Sequence, residues 1–123
     1  MIDFEFKLDM KPLRALGPAV GFAMGGFLQK EGDELLAESR EEVPIETGAT
    51  WLSGYVQPSG RFTDVLHIEV GYTTEYAIWP HEMLEYKHPT GKAKFLEDPF
   101  NRRKEGFERR AGAHLTRFIG RQR

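Results

Sequence analysis

The chain lacks cysteine, and it lacks a hydrophobic run long enough to cross a membrane. The absence of cysteine among its 123 residues excludes a disulfide scaffold, a cysteine-based zinc site and a thiol nucleophile. The most apolar window, residues 15–28, is shorter than the roughly 17–25 residues of a membrane-spanning helix. Asp3, Glu5 and Asp9 precede that window, whereas a signal peptide begins with basic residues. We therefore expect no membrane segment, and synthesis in the cytoplasm.

Net charge is also small, at −2, which excludes a generic polyanion binder. The charge is nevertheless unevenly distributed. Residues 1–100 contain 9 Lys and Arg against 17 Asp and Glu, whereas residues 101–123 contain 8 against 2. The basic end could therefore bind the acidic part of the same chain or an acidic partner. The length and a composition of 40% apolar and 29% charged residues indicate one globular domain, residues 1–123.

The first half of the chain predicts one strand and one long helix. Residues 2–9 alternate apolar and charged side chains, as a half-buried strand does. A helix is predicted over residues 18–42, because Pro18 suits a first helical turn and Pro44 ends the pattern. This helix would be about 37 Å long, more than the diameter of a small domain. It therefore either bends at Gly25–Gly26 or extends onto a neighbouring chain.

The middle of the chain predicts a small sheet. Residues 51–57 and 65–72 have strand patterns on either side of a turn at residues 58–60, which predicts an antiparallel hairpin. Residues 76–79 predict a further strand, and residues 85–94 predict a polar loop.

The last predicted element is an amphipathic helix with Asp98 at its N-cap and Pro99 at its first position. Its apolar side chains share one face: Phe100, Phe107, Ala111, Leu115 and Phe118. Gly120 is placed to close it, and residues 119–123 are expected to form a flexible basic tail. The elements together predict an α+β fold, in which a small antiparallel sheet packs with a long N-terminal helix and a C-terminal amphipathic helix.

Beside that apolar face, the predicted last helix has a basic arc of about 140°. Its members are Arg102, Arg103, Arg109, Arg110, His114, Arg117 and Arg121. Three interpretations are open: plain solvation, docking on an acidic surface of this chain or a partner, and contact with nucleic-acid phosphates. The third is the least favoured, because no aromatic residue interleaves the arginines to stack on bases.

The residues that could support catalysis form no recognisable catalytic motif, and an enzyme is not expected. His81, Glu82, Glu85 and His88 are metal-ligand residue types, but their order is not H-E-x-x-H. A metal-dependent hydrolase built on these four residues is therefore the weakest hypothesis, and surface side chains in a loop are the stronger one. The serines show no G-x-S-x-G motif, and the sequence indicates no cofactor.

Four short segments occur in a characteristic order between residues 43 and 97: V-P-I-E-T-G-A-T-W-L-S, V-G-Y-T-T-E-Y-A, H-E and H-P-T-G-K-A-K-F-L-E. In this respect the chain resembles the neck or tail-completion proteins of long-tailed double-stranded-DNA bacteriophages, also described as minor capsid or head–tail joining proteins. The likeness spans about residues 28–110 and leaves residues 1–27 as a possible variant-specific extension. The residues that carry it are Pro44, Thr47, Gly48, Leu52, Ser53, Tyr76, Ala77, Glu82, Gly91, Phe95 and Leu96.

The resemblance implies a structural virion protein of the phage neck, which forms a homo-oligomeric ring joining the head to the tail. The implied partners are further copies of the chain, head-closure or connector proteins, and a tail terminator or tail tube, with non-specific contact to DNA in transit. The implied location is the virion, after assembly in the host cytoplasm. The candidate interface residues are Arg102, Arg109, Arg110 and Arg117. The alternative is a small nucleic-acid-binding module that uses the basic C-terminal helix.

Overall fold

The computed structural model describes residues 2–43, 51–59, 65–73 and 95–121. Its strands are β1 (Ile2–Asp9), β2 (Gly54–Ser59) and β3 (Val65–Tyr72). Its helices are α1 (Pro18–Glu42), α2 (Glu97–Lys104) and α3 (Phe107–Arg121), and a 3-10 helix, Lys11–Leu16, joins β1 to α1. The predicted α+β class is confirmed, with a small antiparallel sheet, a long N-terminal helix and a C-terminal helix.

The sheet has the order β1-β3-β2, and both pairings are antiparallel. Phe6 on β1 lies opposite Ile68 on β3, and Val56 on β2 lies opposite Val70. The predicted hairpin of β2 and β3 is therefore confirmed. Period-two alternation turns the apolar side chains of all three strands to one face, which the helices cover. The strand predicted over 76–79 and the loop predicted over 85–94 lie outside the described residues.

The predicted start of β2 was wrong by three residues. Trp51 and Leu52 are helical, and the strand begins at Gly54. The Arg40 guanidinium lies 4.4 Å from the centre of the Trp51 ring and donates to the Trp51 carbonyl at 3.2 Å. Arg40 also donates to the Gly54 carbonyl at 3.3 Å, so it holds the residues before the strand and the first strand residue against α1.

Helix α1 has the predicted bounds, and its helical assignment continues through Gly25 and Gly26 without a break. Gly17, with φ of 90°, turns the chain into it, and Pro18 takes the first helical position. Gly32 brings α1 against the sheet, since a Cβ there would lie only 2.7 Å from Val56 Cγ1. The backbone of α1 can approach β2 this closely only because residue 32 has no side chain.

The described residues before position 28, which lie outside the region that resembles the phage neck family, form part of the core. Their buried side chains are Phe6, Met10, Val20, Met24 and Phe27. The Phe6 ring stacks on Phe107 with centroids 4.8 Å apart, so β1 and α3 share one apolar layer.

The predicted single C-terminal helix is two helices. Glu105 is extended, with ψ of 130°, and Gly106 has φ of 76°, so α2 ends at Lys104 and α3 starts again at Phe107. Glycine tolerates this left-handed conformation, which costs other residues about 1 kcal/mol or more. The break reorients the chain between the two helices.

The ends of this helical region also differ from the prediction. Asp98 and Pro99 lie inside the first turn of α2, which begins at Glu97 rather than after an Asp98 cap. Gly120 lies within α3, which continues to Arg121. Residues 119–121, predicted to belong to a tail, are therefore the last turn of a helix. The predicted apolar face is confirmed, because all of its members are buried in the core or packed against it.

Candidate interaction surface

The helix break divides the predicted basic arc. Arg102 and Arg103 belong to α2, whereas the other members belong to α3. The two groups therefore do not form a single stripe. The contacts of the individual basic side chains define two sets of residues. One set binds α1, and the other faces solvent.

Glu31 is the centre of the contacts with α1. Its side chain is on α1 and only 3% exposed. Arg110 donates to its Oε1 from Nε at 2.7 Å and to its Oε2 from Nη2 at 2.9 Å, and Arg103 Nη2 donates to Oε2 at 3.1 Å. Arg103 also binds Glu34 and Glu38, on the next turns of α1. We call these five residues the Glu31 cluster.

The Glu31 cluster fixes the two arginines by charge and by geometry. Burial alone would lower the pKa of Arg103, but the charges and hydrogen bonds of Glu31 and Glu38 outweigh this and raise the pKa. Arg110 also donates to the backbone carbonyls of Glu105 at 3.2 Å and of Arg103 at 2.6 Å. It thereby holds the break between α2 and α3 against α1.

Two of the four predicted interface arginines are thus occupied within the chain. Arg110 is in the Glu31 cluster, and Arg102 binds Glu42 of α1 with 3.0 Å between Nη2 and Oε1. Arg109 and Arg117 are exposed on α3. The basic C-terminal region therefore docks partly on the acidic surface of its own chain, and the remaining arginines are available to a partner.

A groove between α1 and α3 is lined by several basic side chains. We call it the basic groove, and its lining is Ala19, Phe22, Ala23, Lys30, His114, Arg117, Phe118 and Arg121. None of these described lining residues is acidic, although Lys30 has Glu34 as a neighbour at 3.9 Å along α1. His114 joins the two walls, because its Nε2 lies 3.1 Å from the Ala23 carbonyl oxygen.

Phe22 is the feature of this groove that the sequence analysis missed. It is 85% exposed, the largest exposure of any large apolar side chain that the structure describes. It lies on a different element from the arginines, so a search for aromatic residues interleaved along the last helix could not find it. The sequence did contain one indication of its exposure. Phe22 does not fit the helical spacing that Val20, Met24 and Phe27 share on the buried face of α1.

The outer face of the sheet has the opposite charge. We call it the acidic sheet face, and its side chains are Asp3, Glu5, Lys7 and Asp9 of β1, Tyr55 and Gln57 of β2, and His67 and Glu69 of β3. Four carboxylates thus lie with one lysine and one histidine on a single face.

Contacts within this face stabilise the crowded carboxylates. Glu5 and Glu69 are direct cross-strand neighbours, a repulsive arrangement. Glu5 has His67 Nδ1 at 3.2 Å and Lys7 Nζ at 3.4 Å, and Tyr55 donates its hydroxyl to Glu69. Partial burial raises the pKa of Glu5, but His67 and Lys7 outweigh it and lower the pKa. Burial, and then Glu69, raise the pKa of Tyr55.

The family-like residues that the structure describes serve different purposes. Phe95 and Leu96 are fully buried, and the Phe95 ring meets Tyr72 edge-on at 5.1 Å. Ser53 Oγ accepts a hydrogen bond from the Thr73 amide at 3.2 Å. Leu52, in contrast, is 75% exposed. The remaining members lie outside the described residues: Pro44, Thr47, Gly48, Tyr76, Ala77, Glu82 and Gly91.

His81, Glu85 and His88 also lie outside the described residues. Within the described ranges, no group of three or more histidine or acidic side chains is placed to hold a metal ion. Of the helices in the described part of the chain, none combines the length and apolarity needed to cross a membrane. Comparison with protein-family models, with curated proteins and with solved structures gives no match to this chain.

Proposed function

We propose that this chain is a structural subunit of a tailed-phage neck, which assembles with its own copies into a ring that joins the head to the tail. The order of the family-like segments between residues 43 and 97 supports the proposal. The observation that carries it is the exposure of Phe22 on the long helix α1. A neck subunit has to contact its neighbours in the ring and the layers above and below it.

Phe22 has the properties of an interface residue. Burial of a phenylalanine side chain stabilises a complex by about 1.5–3 kcal/mol. This stabilisation is absent while the aromatic side chain stays in water. Small residues surround it on α1, and a Cβ added to Gly21, Gly25 or Gly26 would meet no atom within 4 Å. A partner can therefore approach the backbone of α1 closely on either side of Phe22.

The proposed ring has different partners on its two sides. In the proposed neck, head-closure or connector proteins contact one side of the ring, and a tail terminator or tail tube contacts the other. The protein acts by assembly in the host cytoplasm and in the virion, without catalysis or a cofactor. DNA passes through the ring and is not retained, so contacts with DNA are weak and indifferent to sequence.

The test is to grow particles in which this chain is absent. Unjoined heads and tails are expected, and supplying the chain from a plasmid restores joined particles that carry a ring at the neck in cryo-electron micrographs. A chain with Phe22→Asp is expected to fold but not to restore joining, whereas the matched variant Ala37→Asp, at an exposed position of the same helix, restores it. Normal joined particles without the chain would overturn the proposal.

A second candidate is the nucleic-acid-binding module. The observation that favours it is the placement of Phe22 in the same groove as Arg117 and Arg121. An exposed aromatic ring beside cationic side chains can stack on a base while the cations bind phosphates. In this role the groove would bind single strands, and oligomerisation would not be required.

A further inference from the structure

We infer that the basic groove of one copy receives the acidic sheet face of the next copy, so that the chain assembles head to tail. The inference rests on the proposed ring, because it names the two faces through which that ring closes. Three arguments support it: the positions of the two faces, their opposite charges, and the type of subunit contact that opposite charges favour.

The two faces lie on opposite sides of the domain. Gly32 marks the side of α1 that contacts the sheet, where a Cβ would lie 2.8 Å from Ile68 Cγ1. With about 100° per residue, Lys30, Ala19 and Ala23 lie about 140–180° around α1 from Gly32, and Phe22 lies about 80° from it, at the side of the groove. The groove therefore opens away from the sheet. The acidic side chains alternate with the buried ones along β1 and β3, so they point away from α1.

The charges of these faces are complementary. Lys30, Arg117 and Arg121 line the groove, whereas the sheet face has four carboxylates against Lys7 and His67. Asp3 and Asp9 are exposed at the two ends of β1, and Arg117 and Arg121 are exposed on consecutive turns of α3. Opposed surfaces of this kind accelerate association and fix its orientation.

The same charges disfavour the two-fold alternative. An isologous contact uses the same patch of both copies, so either groove would meet groove or sheet face would meet sheet face. Both arrangements bring like charges together. A heterologous contact pairs unlike faces, and repetition of it generates a ring where the rotation closes. Phe22, at the groove, adds apolar contact for which Tyr55 offers a partly exposed ring on the sheet face.

The test reverses the charge of each face separately. The groove variant is Arg117→Glu with Arg121→Glu, and the sheet variant is Asp3→Lys with Asp9→Lys. Sedimentation velocity and native mass spectrometry follow the mass of each nuclease-treated protein in 50 and 500 mM NaCl as test conditions. We expect the wild type to form closed oligomers whose dissociation constant rises at least about tenfold with salt, because the contact is charged. Each variant alone is expected to be monomeric where the wild type assembles.

Restoration is the decisive part of this test. The chain with all four substitutions has a negative groove and a positive sheet face, so it is expected to regain the wild-type mass. An equimolar mixture of the groove and sheet variants is also expected to assemble, with the two variants alternating around the oligomer. The control is Ala37→Glu, which adds a negative charge at an exposed position of α1 outside both faces. It is expected to assemble like the wild type, and thermal melts check that every variant folds.

The outcomes separate this inference from the proposed function. If the groove variant and the sheet variant each form the same oligomer as the wild type, the inference is overturned, but the proposed ring is not. A fourfold variant that folds but stays monomeric, or a control that fails to assemble, would also overturn the inference. A wild-type chain that is monomeric at every concentration and salt, with or without added duplex, would overturn the inference and self-assembly into a ring together. The particle experiment tests the neck function independently of all four charges.

Discussion

A single carboxylate, Glu31, joins three helices. Its two oxygens accept hydrogen bonds from Arg110 of α3 and Arg103 of α2, and its own side chain is on α1. Removing one partner of a buried ion pair leaves the other charges without compensation, and this typically costs about 3–5 kcal/mol. The sequence alone could indicate attraction between the acidic and basic parts of the chain, but not that one glutamate would bind two arginines.

We therefore predict that Glu31→Gln lowers the free energy of unfolding by about 3–5 kcal/mol. Glu38→Gln is the matched control, because Glu38 binds the same Arg103 but is 38% exposed, and it is expected to cost less than about 1 kcal/mol. Urea denaturation at neutral pH measures both changes. Equal effects of the two substitutions would contradict the role given to Glu31.

Glu5 gives the sheet a pH-dependent contribution to stability. Because its pKa in the folded protein is below the ordinary value of 4.5, the contribution is present above pH 4.5 and is lost as the pH falls through the lowered pKa. Glu5→Gln is expected to lower stability at pH 6 by less than about 1 kcal/mol, since the group is partly exposed. The difference between variant and wild type should disappear in acid, as unfolding curves between about pH 6 and pH 3 would show. A difference that grows as the pH falls would contradict the assignment.

At the scale of elements, the bounds of α1 and the sheet pairing were predictable, whereas the break between α2 and α3 was not. Proline fixes the start of α1 chemically, and alternation fixes the face of each strand. The spacing from Phe100 to Phe107 equals two helical turns, so it fits a continuous helix as well as a broken one. Only Gly106 marks the break, and glycine also occurs inside helices. The docking of Arg110 on Glu31, which holds the break, is a tertiary contact that no local pattern records.

The contact of α1 with the sheet gives a matched pair of glycine substitutions in one helix. Gly32→Ala is expected to destabilise the protein by about 1–3 kcal/mol, because the new Cβ would overlap Val56 and Ile68 at 2.7 and 2.8 Å. Gly26→Ala is expected to stabilise it by about 0.5–1 kcal/mol, since that position opens on empty space and alanine favours a helix. Thermal melts of the two variants check the signs. The same sign for both would show that α1 does not approach the sheet at Gly32.

At the scale of the whole molecule, the charge asymmetry along the chain was visible in the sequence, but its distribution in space was not. Some of the basic side chains of residues 101–123 are used inside the domain by the Glu31 cluster and by Glu42. Arg117 and Arg121 instead join Lys30 and Phe22 from α1, about 90 residues earlier in the chain. Only the fold brings these residues to one groove. It also separates the groove from the carboxylates of β1 and β3, which gives the domain two opposite faces.

The positive charge of the groove predicts how it binds nucleic acid. With three cations lining it, the slope of log K against log salt for duplex DNA should be no steeper than about −3. Binding near physiological salt should be weak and independent of sequence. The groove variant Arg117→Glu with Arg121→Glu should abolish it. Lys104→Glu with Arg109→Glu should not, because these two cations do not line the groove. Fluorescence anisotropy with labelled duplex and single strands at two salt concentrations makes these measurements.

Phe22 distinguishes the neck subunit from the nucleic-acid-binding module. A base stacked on an aromatic ring is worth about 1–3 kcal/mol, so in the module Phe22→Ala would weaken single-strand binding by about 5- to 150-fold. In the neck subunit Phe22 packs against a neighbouring copy instead. We predict that Phe22→Ala changes the affinity for single strands by less than about twofold, because in the neck subunit only contacts between the cations and the phosphates bind the strand. The same variant should raise the dissociation constant of the oligomer at least about tenfold, since burial of this ring contributes about 1.5–3 kcal/mol. The opposite result, lost strand binding with intact assembly, would favour the module, because one exposed ring cannot stack on a base and pack in a subunit contact at the same time.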